Sequence, residues 1–164
     1  MQHQRIIQIF TDGACLNNGK PQARGGWAAI LRNPEGRTME IAGPLEGDQQ
    51  TNNRAELTAV ITGLQALKPP GSMVEVVTDS TYVRNGCTSW LAKWKQNGWR
   101  TADRKPVANA DLWQLLDQLL AEHTVRFRWV RGHSGHPENE RADALAQRAA
   151  LGERVERYGI LKQP

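Results

Sequence analysis

The sequence predicts an α/β domain in which helices flank a mixed five-stranded sheet, three strands antiparallel and two parallel. Three observations predict it. Apolar runs of strand length are interleaved with apolar stripes at helical spacing. The first three strands are joined by short turns, so they pair antiparallel. The two later strands are each reached through helices, so they add in parallel. The element order is β-β-β-α-β-α-α-α-β-α. The 164 residues suit one domain, with its core over about residues 5–150. Residues 151–164 carry little core signal and are expected to form a partly loose tail.

The first strand covers residues 5–12 and is apolar on both faces, which predicts an interior position. A loop rich in Gly, Asn and Pro runs from Asn17 to Gly26. The second strand is Trp27 to Leu31. Asn33-Pro34-Glu35-Gly36 is a turn signal, and the third strand covers about 37–43. Leu57, Val60, Ile61, Leu64 and Leu67 form one helical stripe, capped by Asn53 or a neighbour and ended by Pro69-Pro70-Gly71. Met73 to Thr78 is a β-branched strand. Short helical segments and a Trp/Lys-rich stretch follow. Leu112, Trp113, Leu116, Leu119 and Leu120 form another stripe. Val125, Phe127 and Trp129 alternate with Arg126 and Arg128 as a half-buried strand. The last helix starts near Pro137, suited to a first turn, and turns Ala142, Leu145, Ala146 and Ala149 inward. Trp27, Trp113 and Trp129 are expected in the core.

Composition narrows the function classes. No apolar run approaches membrane-spanning length, and the N-terminus enters a strand without a secretory pattern. Cys15 and Cys87 are too few for a disulfide framework, so a reducing cytoplasm is the expected setting. The net charge is +4. Between Arg84 and Lys105 six basic residues stand against one acid, a local +5 that leaves the rest of the chain at −1. The excess is one patch, which points to a polyanionic partner.

Four acids stand where chemistry is plausible. Asp12 ends the first strand in Phe10-Thr11-Asp12-Gly13. Glu56 lies in the first turn of the first long helix. Asp79 ends the fourth strand, and Asp143 lies on the last helix. If the first and fourth strands are neighbours, Asp12 and Asp79 project from adjacent strand ends. Carboxylates so close repel unless a cation lies between them. Oxygen-only ligation favours Mg²⁺ or Mn²⁺ over zinc. Two such ions can hold an attacking water and a leaving oxygen across one phosphate. Each acid also has an ordinary reading: a turn at Asp12-Gly13, a helix cap at Asp79-Ser80, a capping box between Asn53 and Glu56, and a solvated Asp143.

Five stretches resemble, in order and in register, the ribonuclease H family of the bacterial type 1 group. They are Phe10 to Cys15, Thr51 to Leu57, Thr78 to Val83, Trp94 to Ala102 and Trp129 to Asp143. The resemblance implies the ribonuclease H-like fold. It implies an endonuclease that cuts the RNA strand of an RNA–DNA hybrid, leaving 3′-hydroxyl and 5′-phosphate ends. It implies that Asp12, Glu56, Asp79 and Asp143 bind the metals, two Mg²⁺ ions that Mn²⁺ can replace. It implies that His133 helps move protons or release product; an imidazole with an unperturbed pKa of about 6.5 suits that task. Read alone, His133 is a loop imidazole satisfied by hydrogen bonds. Its His-x-x-His spacing to His136 does not suggest zinc, because no Cys or third His lies nearby.

RNA is told from DNA by its 2′-hydroxyl, reachable in a wide, shallow minor groove. Asn18, Asn52 and Asn53 are short groups with both donor and acceptor, suited to such contacts. Asn18 resembles the family's substrate-contacting Asn, and Thr51 its phosphate-contacting Thr. Trp90, Trp94 and Trp99 interleave with Lys93, Lys95 and Arg100, so aromatic faces can pack on sugars or bases while cations track the DNA strand's phosphates. For Trp94 and Trp99 the alternative is that they hold the segment together. Two departures from the family pattern stand out. The Asn17–Gly26 loop is longer than the usual short turn, and Thr81 stands where many members carry Gln. A monomer without membrane contact is expected. The competing readings are a hybrid-binding module with a dead site and a related nuclease of the same fold, integrase-like or resolvase-like.

Overall fold

The computed structural model describes residues 6–68, 71–132 and 136–160. Alternation along the first strand sets the layers. In β1 (Ile6–Leu16) Ile9 and Phe10 are both buried, on opposite faces. Ile9 packs with Leu57, Val60 and Leu64 of α1 (Asn52–Gln65) and Trp113 and Leu116 of α4 (Ala110–Glu122). Phe10 packs with Ala142, Leu145, Ala146 and Ala149 of α5 (Pro137–Ala150). The sheet therefore has a helix pair on one face and a single helix on the other.

Strand order is β5-β4-β1-β2-β3-β6, with β2 at Arg24–Arg32, β3 at Arg37–Pro44, β4 at Met73–Thr78, β5 at Thr124–Trp129 and β6 at Val155–Ile160. β1, β2 and β3 pair antiparallel, and β4 and β5 add in parallel as expected. Between β4 and β5, α2 (Thr81–Asn85) runs through a π-helical turn (Gly86–Trp90) into α3 (Leu91–Gln96), before α4. A Cβ at Gly86 would fall 2.0 Å from the Trp113 ring, so the indole seats directly on that turn.

The structure corrects the expected sheet in three places. There are six strands among the described residues, because the tail forms β6 and pairs antiparallel with β3 from Arg37↔Ile160 to Ala42↔Val155. The pairing satisfies the backbone edge of β3 that β2 leaves open. Most β6 side chains stay exposed, so no buried pattern announced it. Second, β1 does not end at Asp12. Its antiparallel register continues through Asp12↔Ala28 to Leu16↔Arg24, which shortens the loop to residues 17–23. Third, Trp129 is exposed and Trp27 half-buried; of the three tryptophans expected inside, Trp113 is fully buried.

Glu40 of β3 ties this edge together. Arg141 of α5 makes a two-pronged pair with its carboxylate at 2.9 and 3.0 Å, and Arg157 of β6 approaches at 3.8 Å. A chain ending at Gly152 should therefore still fold, but with a thermal midpoint lower by about 3–8 °C. Calorimetry of the two chains checks this, and an unchanged midpoint would remove β6 from the stabilising elements.

Candidate active site

The parallel pairing of β1 with β4 stops at Phe10↔Val77, while β1 continues beside β2 alone. Asp12 stands just beyond that stop, and Asp79 follows the last residue of β4. The first turns of α1 come down onto β1 there. A Cβ at Gly13 would lie 2.4 Å from the Glu56 backbone nitrogen, so only glycine permits the approach. The Gly13 N–H donates to Glu56 Oε1.

Carboxylate oxygens of Asp12, Glu56 and Asp79 all lie within 4.8 Å of one another. Asp12 is 4% exposed and Glu56 5%, and Asp79 is half-buried. Asp143 reaches the group from α5, on the other side of β1. It hydrogen-bonds the Asp12 carboxyl but lies outside the set of three, and Gln147 Nε2 donates to its Oδ2 at 3.1 Å.

Burial and like charge act in the same direction here. The Asp12 carboxyl is pushed far above the usual carboxylate range, first by desolvation, then by Glu56 and Asp79, and by the bond and charge of Asp143. Glu56 is raised by desolvation and by Asp79, against hydrogen bonds from Asp12, Gly13 and Ser80 that partly offset this. The donor set consists of hard carboxylate oxygens in a space where their charges conflict. It fits a divalent cation of the Mg²⁺ or Mn²⁺ type and offers no soft ligand.

Ser80 has two tasks. It caps α2, accepting from the Val83 N–H at 3.1 Å as the ordinary reading of Asp79-Ser80 expects, and it lies near enough to Glu56 to favour that carboxylate's charged form. The second task was not foreseen, since nothing local in the sequence links residues 56 and 80. The α1 cap is Thr51, whose Oγ1 accepts from the Arg54 N–H at 3.1 Å. Glu56 is thus not spent on a capping box with Asn53. Asn18 Oδ1 accepts from the Asn52 N–H at 3.0 Å, which brings the strand-end loop against the helix start. Asn18, Thr51, Asn52 and Asn53 are all exposed there. His133 lies outside the described residues. His136 caps α5, its Nδ1 accepting from the Asn139 N–H at 3.3 Å.

In the basic segment Lys93, Lys95 and Arg100 are exposed. Lys95 pairs with Asp117 of α4 at 3.3 Å, and Arg100 donates to the Arg104 carbonyl at 3.1 Å. Trp94 and Trp99 are half-buried against the core of the α1/α4 face, which favours a structural part for both. Trp90 is half-buried too, and its ring centroid is 5.7 Å from that of Trp94.

The comparisons with known proteins agree with this arrangement. The family model described as RNase H matches residues 4–151. A protein named Ribonuclease H from Chelativorans sp. (strain BNC1) is 59% identical over 141 residues, covering 86% of this chain and 83% of that one. The Ribonuclease H of Nitrobacter hamburgensis is 57% identical, covering 86% of this chain and 89% of that one. Among solved structures, the crystal structure of LC9-RNase H1, a type 1 RNase H with the type 2 active-site motif, superposes with a TM-score of 0.80 at 31% identity. It covers 94% of this chain and 76% of that one. The solution structure of the PFV RNase H domain, 24% identical with a TM-score of 0.66 over 91% and 96% of the two chains, shares the fold.

The raised carboxyls have a measurable consequence. A folded-state pKa above the unfolded value stabilises the protein below the unfolded pKa, and that contribution is lost as pH rises through the folded one. In metal-free buffer the thermal midpoint should fall as pH climbs from about 4 toward neutrality. Asp12→Asn should flatten that fall and raise the metal-free midpoint near pH 7 by about 3–6 °C. Mg²⁺ should raise the wild-type midpoint, and the variant's by less. Melting curves with and without Mg²⁺ across this range test it. A lower midpoint for Asp12→Asn in metal-free buffer would contradict the charge conflict.

Proposed function

The chain belongs to the ribonuclease H family, and from that premise we propose that it is a metal-dependent endonuclease hydrolysing the RNA strand of RNA–DNA hybrids. The observation that carries the reading is the convergence of Asp12, Glu56 and Asp79 within 4.8 Å, with Asp143 beside Asp12. These four residues would hold the metals. When bound, a pair of Mg²⁺ ions, or Mn²⁺ in their place, supplies Lewis-acid positioning of water and leaving oxygen across one phosphate.

The protein's own groups do the rest. Asn52 and Asn53 at the start of α1, and Asn18 on the loop bonded to it, would meet 2′-hydroxyls in the minor groove; their exposure supports this. Thr51 can contact a phosphate while its Oγ1 caps the helix. His133 would take or give the proton at the phosphate. Trp90, Lys93, Lys95 and Arg100 would hold the DNA strand, with Trp99 bracing the segment against the core; the exposure of the three cations supports a grip on phosphates, which is not base-specific. We read residues 1–164 as one domain acting as a monomer in the cytoplasm. Among the described residues, no helix is long and apolar enough to cross a membrane. The complete set of acids weighs against a dead hybrid-binding module.

A labelled hybrid should be cut in its RNA strand only with a divalent cation, yielding 3′-hydroxyl and 5′-phosphate ends, while duplex DNA and duplex RNA are spared. Equal cutting of duplex RNA, or full activity in EDTA, would refute the assignment. Hybrid bound but never cut would favour the dead module. His133→Ala should lower kcat by about 10²–10⁴-fold without abolishing turnover; steady-state rates indistinguishable from wild type would return His133 to a structural part.

A further inference from the structure

One oxygen joins the two halves of the proposed site. The Tyr82 hydroxyl accepts from Trp113 Nε1 at 2.9 Å and from Asn109 Nδ2 at 3.0 Å. Asn109 Oδ1 in turn accepts from Arg54 Nη1 at 3.2 Å, and the Arg54 guanidinium grips both oxygens of Asp111 at 3.0 and 2.9 Å. Arg54 lies on α1 two residues before Glu56. Asn109 is held with φ +60°, a left-handed backbone that these bonds help to fix.

The ring of Tyr82 packs among indoles. Its centroid is 5.9 Å from Trp90 and 5.4 Å from Trp113; Trp94 is 5.7 Å from Trp90 and 5.3 Å from Trp113. These rings form the base of the segment that carries Lys93 and Lys95. Tyr82 itself follows Asp79 by three residues. A continuous line of contacts thus runs from the helix bearing Glu56, through one phenol, to the segment bearing the basic side chains.

We propose that Tyr82 is a positioning residue, the joint that keeps the hybrid-gripping segment in register with the carboxylate site. The inference rests on the reading that this segment binds the hybrid. The distance between grip and metals then decides which phosphate is presented for cleavage. Phenylalanine at this position keeps the ring stack and leaves two donors, on the α4 cap and on α4, without their shared acceptor. The grip survives, but its placement relative to the acids loosens.

The test compares wild type, Tyr82→Phe, Asp111→Asn and the Lys93/Lys95/Arg100 triple alanine variant on one end-labelled hybrid with Mg²⁺. Circular dichroism confirms that each is folded. Tyr82→Phe should raise KM by about tenfold, leave kcat within about twofold and spread the cuts over neighbouring phosphates. Asp111→Asn alters an exposed side chain at the far end of the same line. It should move KM the same way by about threefold. The triple variant should weaken binding and flatten its salt dependence. Adding Tyr82→Phe to it should then spread the cuts no further. If the triple variant binds weakly while Tyr82→Phe and Asp111→Asn keep the wild-type KM and cut pattern, the joint is refuted and the grip stands. A fall in kcat at unchanged KM would also refute it. Wild-type affinity and salt slope in the triple variant would overturn the grip, and the joint with it.

Discussion

Buried like charge is the constraint around which this structure is arranged. Asp12 and Glu56 are buried with Asp79 close beside them, and the Asp79 charge raises the cost of ionising both. The fold imposes the crowding by its topology. β1 pairs with β4 only as far as Phe10 and with β2 all the way to Leu16. The strand therefore offers Asp12 at a place where one neighbour has ended and the other persists. Glycine at 13 lets α1 occupy the vacated side, and α5 brings Asp143 from the opposite layer. The acids are distributed unequally among the available donors. Glu56 accepts a bond from Gly13 and has Ser80 near enough to favour its charged form, whereas each influence on Asp12 opposes its ionisation.

A cluster of acids that acts on nucleic acid must still draw in a polyanion. The chain separates the two demands in space. Its positive excess is confined to one segment, and the remainder carries a slight negative charge. Screening limits each field to a Debye length of about 8–10 Å, so the segment can attract phosphates without neutralising the carboxylates. Its lysines are not all equally available. Lys95 is partly engaged by Asp117, while no ion pair is found for Lys93 among the described residues. Lys93 is the better candidate for a direct phosphate contact.

The parts of the fold legible in the sequence are those where burial follows a regular period. The two faces of β1, the stripes of α1 and α4, and the inward alanines of α5 all read correctly, and they imply the parallel and antiparallel pairings. β6 was illegible because its role is to complete a backbone edge, which needs no apolar alternation. The continuation of β1 through Gly13-Ala14-Cys15-Leu16 was hidden by small residues of weak strand preference. Trp129 obeys the alternation of Val125 and Phe127, yet it lies at the strand end and stays exposed, its Nε1 bonded to the Asp79 carbonyl at 3.0 Å. Sequence context singled out Asp12, Glu56 and Asp79, which the fold brings within 4.8 Å of one another, and Asp143, which lies outside that set. The contact of Tyr82 with Asn109 was not legible, because it forms only through tertiary folding.

Arg54 illustrates how one residue can be costly locally and favourable in context. A cation in the first turn of a helix opposes the helix dipole, by about 0.3–1 kcal/mol at an exposed end. Here the guanidinium is largely buried, which adds desolvation. Asp111 supplies the balance. It lies in the first turn of α4, where a negative charge is favourable, and it meets Arg54 through two parallel bonds. The ends of two helices that would otherwise present like partial charges to each other are thereby linked by opposite full charges. The bond also leaves a positive group two residues from Glu56, on the side of the site away from Asp143. That placement fixes α1 against α4, and through α4 it fixes the carboxylates relative to everything the aromatic cluster supports.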